Sequence, residues 1–166
     1  IDDLANAVRF KLSGYDLQEM ELAYAPPLSS AKDPVNMAGY VIGNVMEGLM
    51  KPFYLEDLES IPEDAVRLDV RTVEEYAGGT IPGFINIPLD SLRERMDELD
   101  LTKDIYITCQ IGLRGYLAQR ILDQAGARTW NLSGGYRFYE MKAKDEQSMA
   151  AAMTMCTECG MEVNAK

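Results

Sequence analysis

The chain has 166 residues, of which 47% are hydrophobic and 26% are charged. This composition is typical of a globular protein and excludes a wholly disordered one. Acidic residues outnumber basic ones and give a net charge of −11, which argues against nucleic acid as a partner. Histidine is absent, so Ser-His-Asp triads, Cys-His dyads and histidine-containing metal sites are excluded.

The length corresponds to roughly one domain with some residues left over. No apolar run reaches the length of a membrane span and no segment resembles a signal peptide, so we predict no membrane partner. The 3 cysteines are too few for a disulfide scaffold, which predicts a cytoplasmic location. The first residue, Ile1, already lies within an amphipathic pattern, so we expect a piece of a longer protein.

Residues 1–50 are predicted to be mainly helical. The pair Asp33-Pro34 is typical of a helix start, and the apolar stripe that follows contains Gly39 and Gly43, which would allow a close neighbour. Lys51-Pro52 is expected to end this helix. The unit is too small to bury a core alone, so we expect the remnant of a larger domain with an exposed apolar face.

Residues 53–142 alternate between apolar strands and amphipathic helices, which predicts an α/β fold with a parallel sheet and helices on both faces. A capping box at Thr72 and Glu75 opens one helix, and Asp90-Ser91 are expected to begin another that carries Leu92 to Leu99. A helical or disordered tail or linker is expected at 143–166. The predicted strands are 66–70, 84–87, 105–108 and 129–132.

The strongest candidate for a reactive group is Cys109, where the third predicted strand passes into a helix. Backbone N–H groups in such a loop, with the N-terminus of the helix, form an anion-binding cradle at the carboxyl edge of a parallel sheet. The cradle and the positive charge of Arg114 would stabilise a partly exposed Cys109 as the thiolate. Gly112 and Gly115 suit a tight loop. The alternative is an inert, buried structural cysteine.

The spacing between Cys109 and Arg114 separates two kinds of chemistry. Protein tyrosine phosphatases hold a phosphate in a Cys-x5-Arg loop, whereas this chain has the shorter Cys-x4-Arg. The smaller cradle fits a sulfur atom attached to the cysteine better than a tetrahedral phosphate, and no general acid for phosphate-ester cleavage is evident. The spacing therefore favours sulfur transfer over phosphatase or arsenate reductase chemistry.

Several motifs follow one another between residues 53 and 142. They are Leu68-Asp69-Val70-Arg71 with Glu74-Glu75-Tyr76, Gly79-Thr80-Ile81-Pro82-Gly83, Ile85-Asn86-Ile87-Pro88, Cys109 to Gly115, and Asn131-Leu132-Ser133-Gly134-Gly135-Tyr136. In this order they resemble a single rhodanese domain. The resemblance implies that Cys109 carries a persulfide, which a small sulfane-sulfur donor loads and a thiol acceptor unloads. Thr80 stands where many relatives have histidine, and its effect stays open.

The same resemblance implies roles for the residues around Cys109. Arg114 would attract anionic donors, and the backbone amides of the substrate-binding positions would stabilise the persulfide sulfur. Asp69 and Arg71 would orient the loop, although their position at a strand end favours a structural ion pair or turn hydrogen bonds. The substrate-binding positions are Gln110, Ile111, Gly112, Leu113 and Gly115.

A second set of motifs lies in the first unit, in Leu22-Ala23-Tyr24-Ala25-Pro26-Pro27 and in Ala31 to Gly39. These segments resemble the end of the dimerisation domain of coenzyme A-disulfide reductases and related NADH-dependent persulfide reductases, some of which carry a C-terminal rhodanese domain. The resemblance implies a homodimeric parent protein that uses FAD, NADH and coenzyme A. It also implies that Tyr24 reaches a coenzyme A site in the partner subunit, and packing against the Pro-Pro turn is an equal alternative.

No Gly-x-Gly-x-x-Gly motif occurs, so we expect no cofactor in this chain itself. A lone Cys156-x-x-Cys159 pair would be half of a zinc site, a redox pair or a resolving partner for Cys109, but an unused tail is favoured and no metal is predicted. The leading hypothesis is a sulfurtransferase domain within a flavoprotein that reduces coenzyme A disulfide or persulfide. The alternative is a non-catalytic rhodanese-fold interaction or regulatory module, which the intact Cys109 disfavours.

Overall fold

The structure is a computed structural model that describes residues 1–23, 25, 27–28 and 33–158, with side chains described as far as residue 149. The chain divides into two compact units, Ile1–Pro52 and Phe53–Lys166. Over the described residues, none of the helices combines the length and the apolar character that a membrane crossing requires.

The first unit is helical, and its helices are α1 (Asp2–Phe10), α2 (Gly14–Glu19) and α3 (Pro34–Met46). The predicted start of α3 is confirmed, because the Asp33 carboxylate accepts a 2.8 Å hydrogen bond from the backbone N–H of Val35. The predicted end at Lys51-Pro52 is wrong, since the helix stops at Met46 and Gly48 takes a positive φ of 71°.

Helices α2 and α3 pack closely at Gly39, as its lack of a side chain predicts. A Cβ atom there would lie 2.6 Å from the backbone nitrogen of Gln18. The amide of Asn36 donates to the carbonyl oxygens of Leu17 and Met20, each at 3.0 Å, and so fixes the same contact. An apolar face of α3 stays largely exposed and includes Tyr40, Val41, Ile42, Val45 and Met46.

The second unit is built on a five-stranded sheet in the order β1-β5-β4-β2-β3. Strand β2 pairs in parallel with β3 and β4, and β4 pairs in parallel with β5, which confirms the predicted parallel sheet. The strands are β1 (Pro52–Phe53), β2 (Val66–Asp69), β3 (Ile85–Asn86), β4 (Asp104–Thr108) and β5 (Arg128–Leu132). The helices are α4 (Val73–Ala77), α5 (Leu113–Gln124) and α6 (Gly135–Glu158).

Helices cover both faces of this sheet, as predicted, with α5 packing on one face and α6 on the other. Alternation along β4 sends Ile105 and Ile107 into one apolar cluster together with Ala118 of α5. Tyr106 points to the opposite face, where its ring stacks on Trp130 at 5.1 Å. The second cluster there is formed by Phe53, Leu55, Ile61, Ile81, Phe84 and Leu132.

The helix predicted from Asp90 to Leu99 is wrong, because two separate 3-10 turns, Leu89–Ser91 and Met96–Glu98, occupy the segment. The backbone N–H of Leu89 donates to the carbonyl oxygen of Val70, so the chain is still held beside the end of β2 just before the predicted helix start. Leu92 and Leu99 reach the core from these turns. The apolar residues of this segment are spaced as in a helix, but they reach the core from an irregular backbone.

Candidate functional site

The candidate site lies at the carboxyl edge of β4, where the chain turns into α5. Cys109 follows the strand, and its Sγ accepts a 3.0 Å hydrogen bond from the backbone N–H of Gly112. Gly112 has a φ of +117° at the residue before α5, a conformation that strongly favours glycine. The loop thus turns one amide and the N-terminus of α5 toward the sulfur.

Cys109 is more buried than the sequence suggested. Its exposed fraction is 1%, so the expectation of a partly exposed thiol is wrong. The reason is the alternation of β4, which places Cys109 on the same side as Ile105 and Ile107 and within their apolar cluster. Ile111 of the loop and Leu113 at the start of α5 are 61% and 62% exposed, so this turn presents apolar side chains to solvent.

The first turn of α6 holds the backbone of the loop. The N–H groups of Tyr136 and Arg137 donate to the carbonyl oxygens of Cys109 and Gln110, at 2.8 and 3.1 Å. This approach requires a glycine at position 135, where a Cβ atom would collide with the carbonyl oxygen of Cys109. The sequence motif contained Gly135 and Tyr136, but nothing in it indicated that they contact the loop.

Asn131, at the end of β5, holds the same loop from another side. Its side-chain Nδ2 donates a 3.0 Å hydrogen bond to the carbonyl oxygen of Gly112. Its Oδ1 lies so close to Gly115 that a Cβ atom on that residue would collide with it. The approach of Asn131 therefore explains why residue 115 is a glycine, and the contact of its amide with the persulfide sulfur stays a prediction.

Asp69 and Arg71 form a buried ion pair with a 2.7 Å distance between Oδ2 and Nη2, and both side chains are almost fully enclosed. Arg71 Nη2 also donates to the carbonyl oxygen of Gly79 at 2.7 Å, which ties the end of β2 to the turn after α4. Thr80, in the position of the usual histidine, places its hydroxyl 3.4 Å from the Asp69 carboxylate.

The buried Arg71 also faces the loop that carries Cys109. Its guanidinium lies 3.9 Å from the centre of the Tyr136 ring, and its Nη1 lies 3.5 Å from Oε1 of Gln110. The ion pair thus has a structural position and at the same time contacts the loop and the turn of α6 that supports it. The predicted orienting role stays a prediction, and these contacts are its physical basis.

Arg114 is paired with Glu75, which the sequence indicated as a capping residue but not as its partner. Its Nη1 and Nη2 donate to the two carboxylate oxygens of Glu75 at 2.6 and 2.8 Å. These hydrogen bonds lower the pKa of the Glu75 carboxyl from 4.5 to about 2 against the opposing effect of burial. Attraction of anionic donors by Arg114 stays a prediction, and Glu75 is a competitor for that guanidinium.

Two other predicted sites cannot be placed. Tyr24 lies outside the described residues, and so does Cys159. Cys156 falls within α6, but its side chain is not among those described. Among the residues that are described, no three acidic or cysteine side chains lie together as a metal site would need.

Comparison with known proteins connects this geometry to a family. Residues 55–142 match the rhodanese-like domain. A sulfurtransferase of Allochromatium vinosum is 39% identical over 74 residues, which are 44% of this chain and 69% of that protein.

Two solved structures are similar over both units. Reduced Bacillus anthracis CoADR-RHD has a TM-score of 0.79 and 46% identity, and the match covers 83% of this chain and 25% of that one. The NAD-dependent persulfide reductase from A. fulgidus has a TM-score of 0.73 and 39% identity, over 84% of this chain and 25% of that one. This chain thus spans a quarter of the length of each.

These two neighbours confirm the resemblance to reductases that carry a rhodanese domain. The family match covers more than half of the residues and includes the loop from Cys109 to Arg114, the buried Asp69–Arg71 pair and the glycine at the start of α6. Because the second unit also has the expected parallel sheet, the chain belongs to the rhodanese-like family, which has sulfurtransferases among its members.

Proposed function

We propose that Cys109 carries sulfane sulfur as a persulfide, and that this chain is the sulfurtransferase part of a larger reductase. The observation that supports the proposal most directly is the 3.0 Å hydrogen bond from the Gly112 amide to Sγ of Cys109. A hydrogen bond and a helix N-terminus both favour negative charge on sulfur, which is the form that attacks and the form that leaves.

The proposed reaction has two steps that use the same sulfur. The Cys109 thiolate attacks the sulfane sulfur of a donor, the donor's own S–S bond breaks, and its leaving group departs with the electron pair. Cys109 then holds an outer sulfur atom in a new S–S bond. In the second step a thiolate acceptor attacks that outer sulfur, and Cys109 leaves as the thiolate, so no net oxidation or reduction of the enzyme occurs.

The rest of the reaction is assigned to the parent protein. Similarity to CoADR-RHD and to an NAD-dependent persulfide reductase supports coenzyme A, as disulfide or persulfide, as the thiol partner. We propose that the parent is a cytoplasmic homodimer, that Tyr24 contributes to its coenzyme A site, and that neither nucleic acid nor membrane is a partner. FAD would supply electrons from NADH when bound to the parent; the two units of this chain lack a nucleotide-binding glycine motif.

Intact-protein mass spectrometry tests the persulfide. The reduced chain is exposed briefly to a polysulfide or to thiosulfate, beside Cys109→Ala as the matched variant. We expect a gain of one sulfur atom on the wild type, its absence from the variant, and its removal by cyanide or by the thiol of coenzyme A.

Two other results would contradict the proposal in different ways. No gain on the folded, reduced protein would favour the interaction or regulatory module. A gain that persists in Cys109→Ala would move the carrier to Cys156 or Cys159, the other cysteines of the chain.

A further inference from the structure

The pairing of Arg114 changes the charge of the candidate site. Both of its outer guanidinium nitrogens are bound by Glu75, at 2.6 and 2.8 Å, in a two-point contact. Because the Glu75 carboxyl keeps a pKa of about 2 in this arrangement, the pair is ionised on both sides at neutral pH. Its charges cancel, so Arg114 adds little net positive potential at the loop.

A second arginine near the loop is neutralised in the same way. Arg71 is fully enclosed and its guanidinium is held by Asp69. The guanidinium groups of Arg71 and Arg114, which lie beside the loop, are therefore each paired with a carboxylate. An oxyanion that approaches Arg114 meets a guanidinium that is already paired, and must separate Glu75 from Arg114 to use it.

Donors of sulfane sulfur differ in the charge they carry beside that sulfur. Thiosulfate is a dianion whose sulfonate oxygens adjoin the transferred atom. A persulfide of an organic thiol carries at most one negative charge there, and any further charge lies far along the molecule. Binding of thiosulfate therefore requires the Glu75–Arg114 pair to separate, at a cost in free energy, whereas binding of an organic persulfide does not.

We infer that Glu75 is a specificity-determining residue, which selects organic persulfides over dianionic oxyanion donors by occupying Arg114. The inference rests on the proposed persulfide at Cys109. With thiosulfate, the Cys109 thiolate takes the sulfane sulfur, the S–S bond of thiosulfate breaks, and sulfite leaves with the electron pair. With an organic persulfide the same bond forms, and the thiolate of the donor leaves with the electron pair.

Glu75→Gln is the sharpest test, because it removes the charge and keeps the local fold. The Glu75 carboxylate also accepts a 2.9 Å hydrogen bond from the backbone N–H of Thr72, and the amide oxygen of glutamine can accept the same bond. Glu74→Gln is the matched control, since Glu74 is an exposed residue of the same turn and its loss changes the net charge equally. Arg137, whose backbone N–H donates to Gln110 of the loop, is unchanged in every variant, so its positive charge affects all of them equally.

The measured quantity is the second-order rate constant for loading of Cys109, followed by mass spectrometry of acid-quenched samples. All variants carry Cys156→Ala and Cys159→Ala, so Cys109 is the only thiol. The donors are thiosulfate and the persulfide of 2-mercaptoethanol. We expect Glu75→Gln to raise the ratio of the thiosulfate rate to the persulfide rate by about tenfold at low salt. Glu74→Gln should leave that ratio unchanged.

The outcomes separate this inference from the proposed function. If neither donor loads the protein that retains Glu75, the persulfide at Cys109 is wrong and the role of Glu75 falls with it. If loading occurs but Glu75→Gln and Glu74→Gln give the same ratio, Cys109 remains the carrier and the role of Glu75 is refuted. A tenfold change that disappears at high salt supports the charge-based explanation.

Discussion

The backbone N–H of Tyr136 donates a 2.8 Å hydrogen bond to the carbonyl oxygen of Cys109, so the first turn of α6 holds the residue that bears the thiol. Gly135 makes the approach possible. It has a φ of +60°, and a Cβ atom there would lie 2.8 Å from the backbone carbon of Gln110 and the backbone nitrogen of Ile111. The position of the reactive loop thus depends on a helix that comes later in the chain.

Gly135→Ala is expected to lower the free energy of unfolding of the second unit by about 2–3 kcal/mol and to slow loading of Cys109. Gly126→Ala is the control, because Gly126 also has a positive φ, of 90°, but a Cβ atom there meets open space. Backbone strain alone should cost it about 1–2 kcal/mol. Urea unfolding, followed by the fluorescence of Trp130, the single tryptophan of the chain, measures the stability of both variants. Mass spectrometry measures the loading of Cys109 in each. Equal losses of stability and loading would contradict the prediction.

Gly115→Ala should destabilise the protein, although alanine normally stabilises a helix interior by about 1 kcal/mol relative to glycine. The reason is Asn131, whose Cγ would lie 3.0 Å from the new Cβ. In an Asn131→Ala background the obstacle is gone, so the same change should become neutral or stabilising. The double-mutant cycle, read by urea unfolding, measures this reversal of sign. Independent effects of the two substitutions would show that their contact is unimportant.

Arg71→Met should cost about 3 kcal/mol or more, because it leaves the buried Asp69 carboxylate without its partner. Adding Asp69→Asn should restore part of the loss. Arg95→Met is the control: Arg95 and Glu98 form an ion pair whose side chains are 40% and 49% exposed, so its removal should cost no more than about 1 kcal/mol. Urea midpoints compare the variants, and a small effect of Arg71→Met would argue against a role for the buried pair in stability.

The Glu75–Arg114 pair should contribute to stability in a defined pH range. The pKa of the Glu75 carboxyl falls on folding from 4.5 to about 2, so the folded state binds fewer protons than the unfolded state between these pH values. The contribution is therefore fully present above pH 4.5 and is lost as the pH falls towards 2. Since both side chains are about one-third exposed, we expect it to stay below about 1 kcal/mol.

This pH dependence is measured as the difference in unfolding free energy between the wild type and Glu75→Gln. The difference should be constant from pH 7 to pH 5 and should shrink below pH 4.5. Arg71 also acts on Glu75 through its charge, and Thr72 through its backbone N–H; both are the same in the two proteins. A difference that grows on acidification would contradict the assigned direction.

Local sequence patterns predicted the structure well where a few adjacent residues decide it. The capping box of Thr72 and Glu75 forms both of its hydrogen bonds, and the carboxylate of Asp33 caps α3. The helix predicted over Asp90–Leu99 is wrong for a non-local reason, since the N–H groups of Ile87 and Leu89 bond to the carbonyl oxygens of Asp69 and Val70 and hold the chain beside the end of β2. The periodicity of apolar residues indicates which side chains are buried, but it does not indicate where the backbone is hydrogen-bonded to a neighbouring strand.

The candidate site was predictable at Cys109 and only partly around it. The strand-to-helix loop, the glycine at 112 and the family resemblance all pointed to the same thiol. Its burial was missed although the alternation of Ile105, Ile107 and Cys109 indicates it, and the pairing of Arg114 with Glu75 was missed because it depends on which strands become neighbours. Glu75 and Arg114 are 39 residues apart, and the adjacency of β2 and β4 brings them together.

The two faces of the sheet meet at the reactive loop. Cys109 belongs to the cluster on one face, whereas Tyr136, which holds the carbonyl oxygen of Cys109, packs against the cluster on the other. The residue that bears the thiol is thus held from both faces of the sheet. A change in side-chain volume on either face is therefore expected to shift the loop that carries the sulfur.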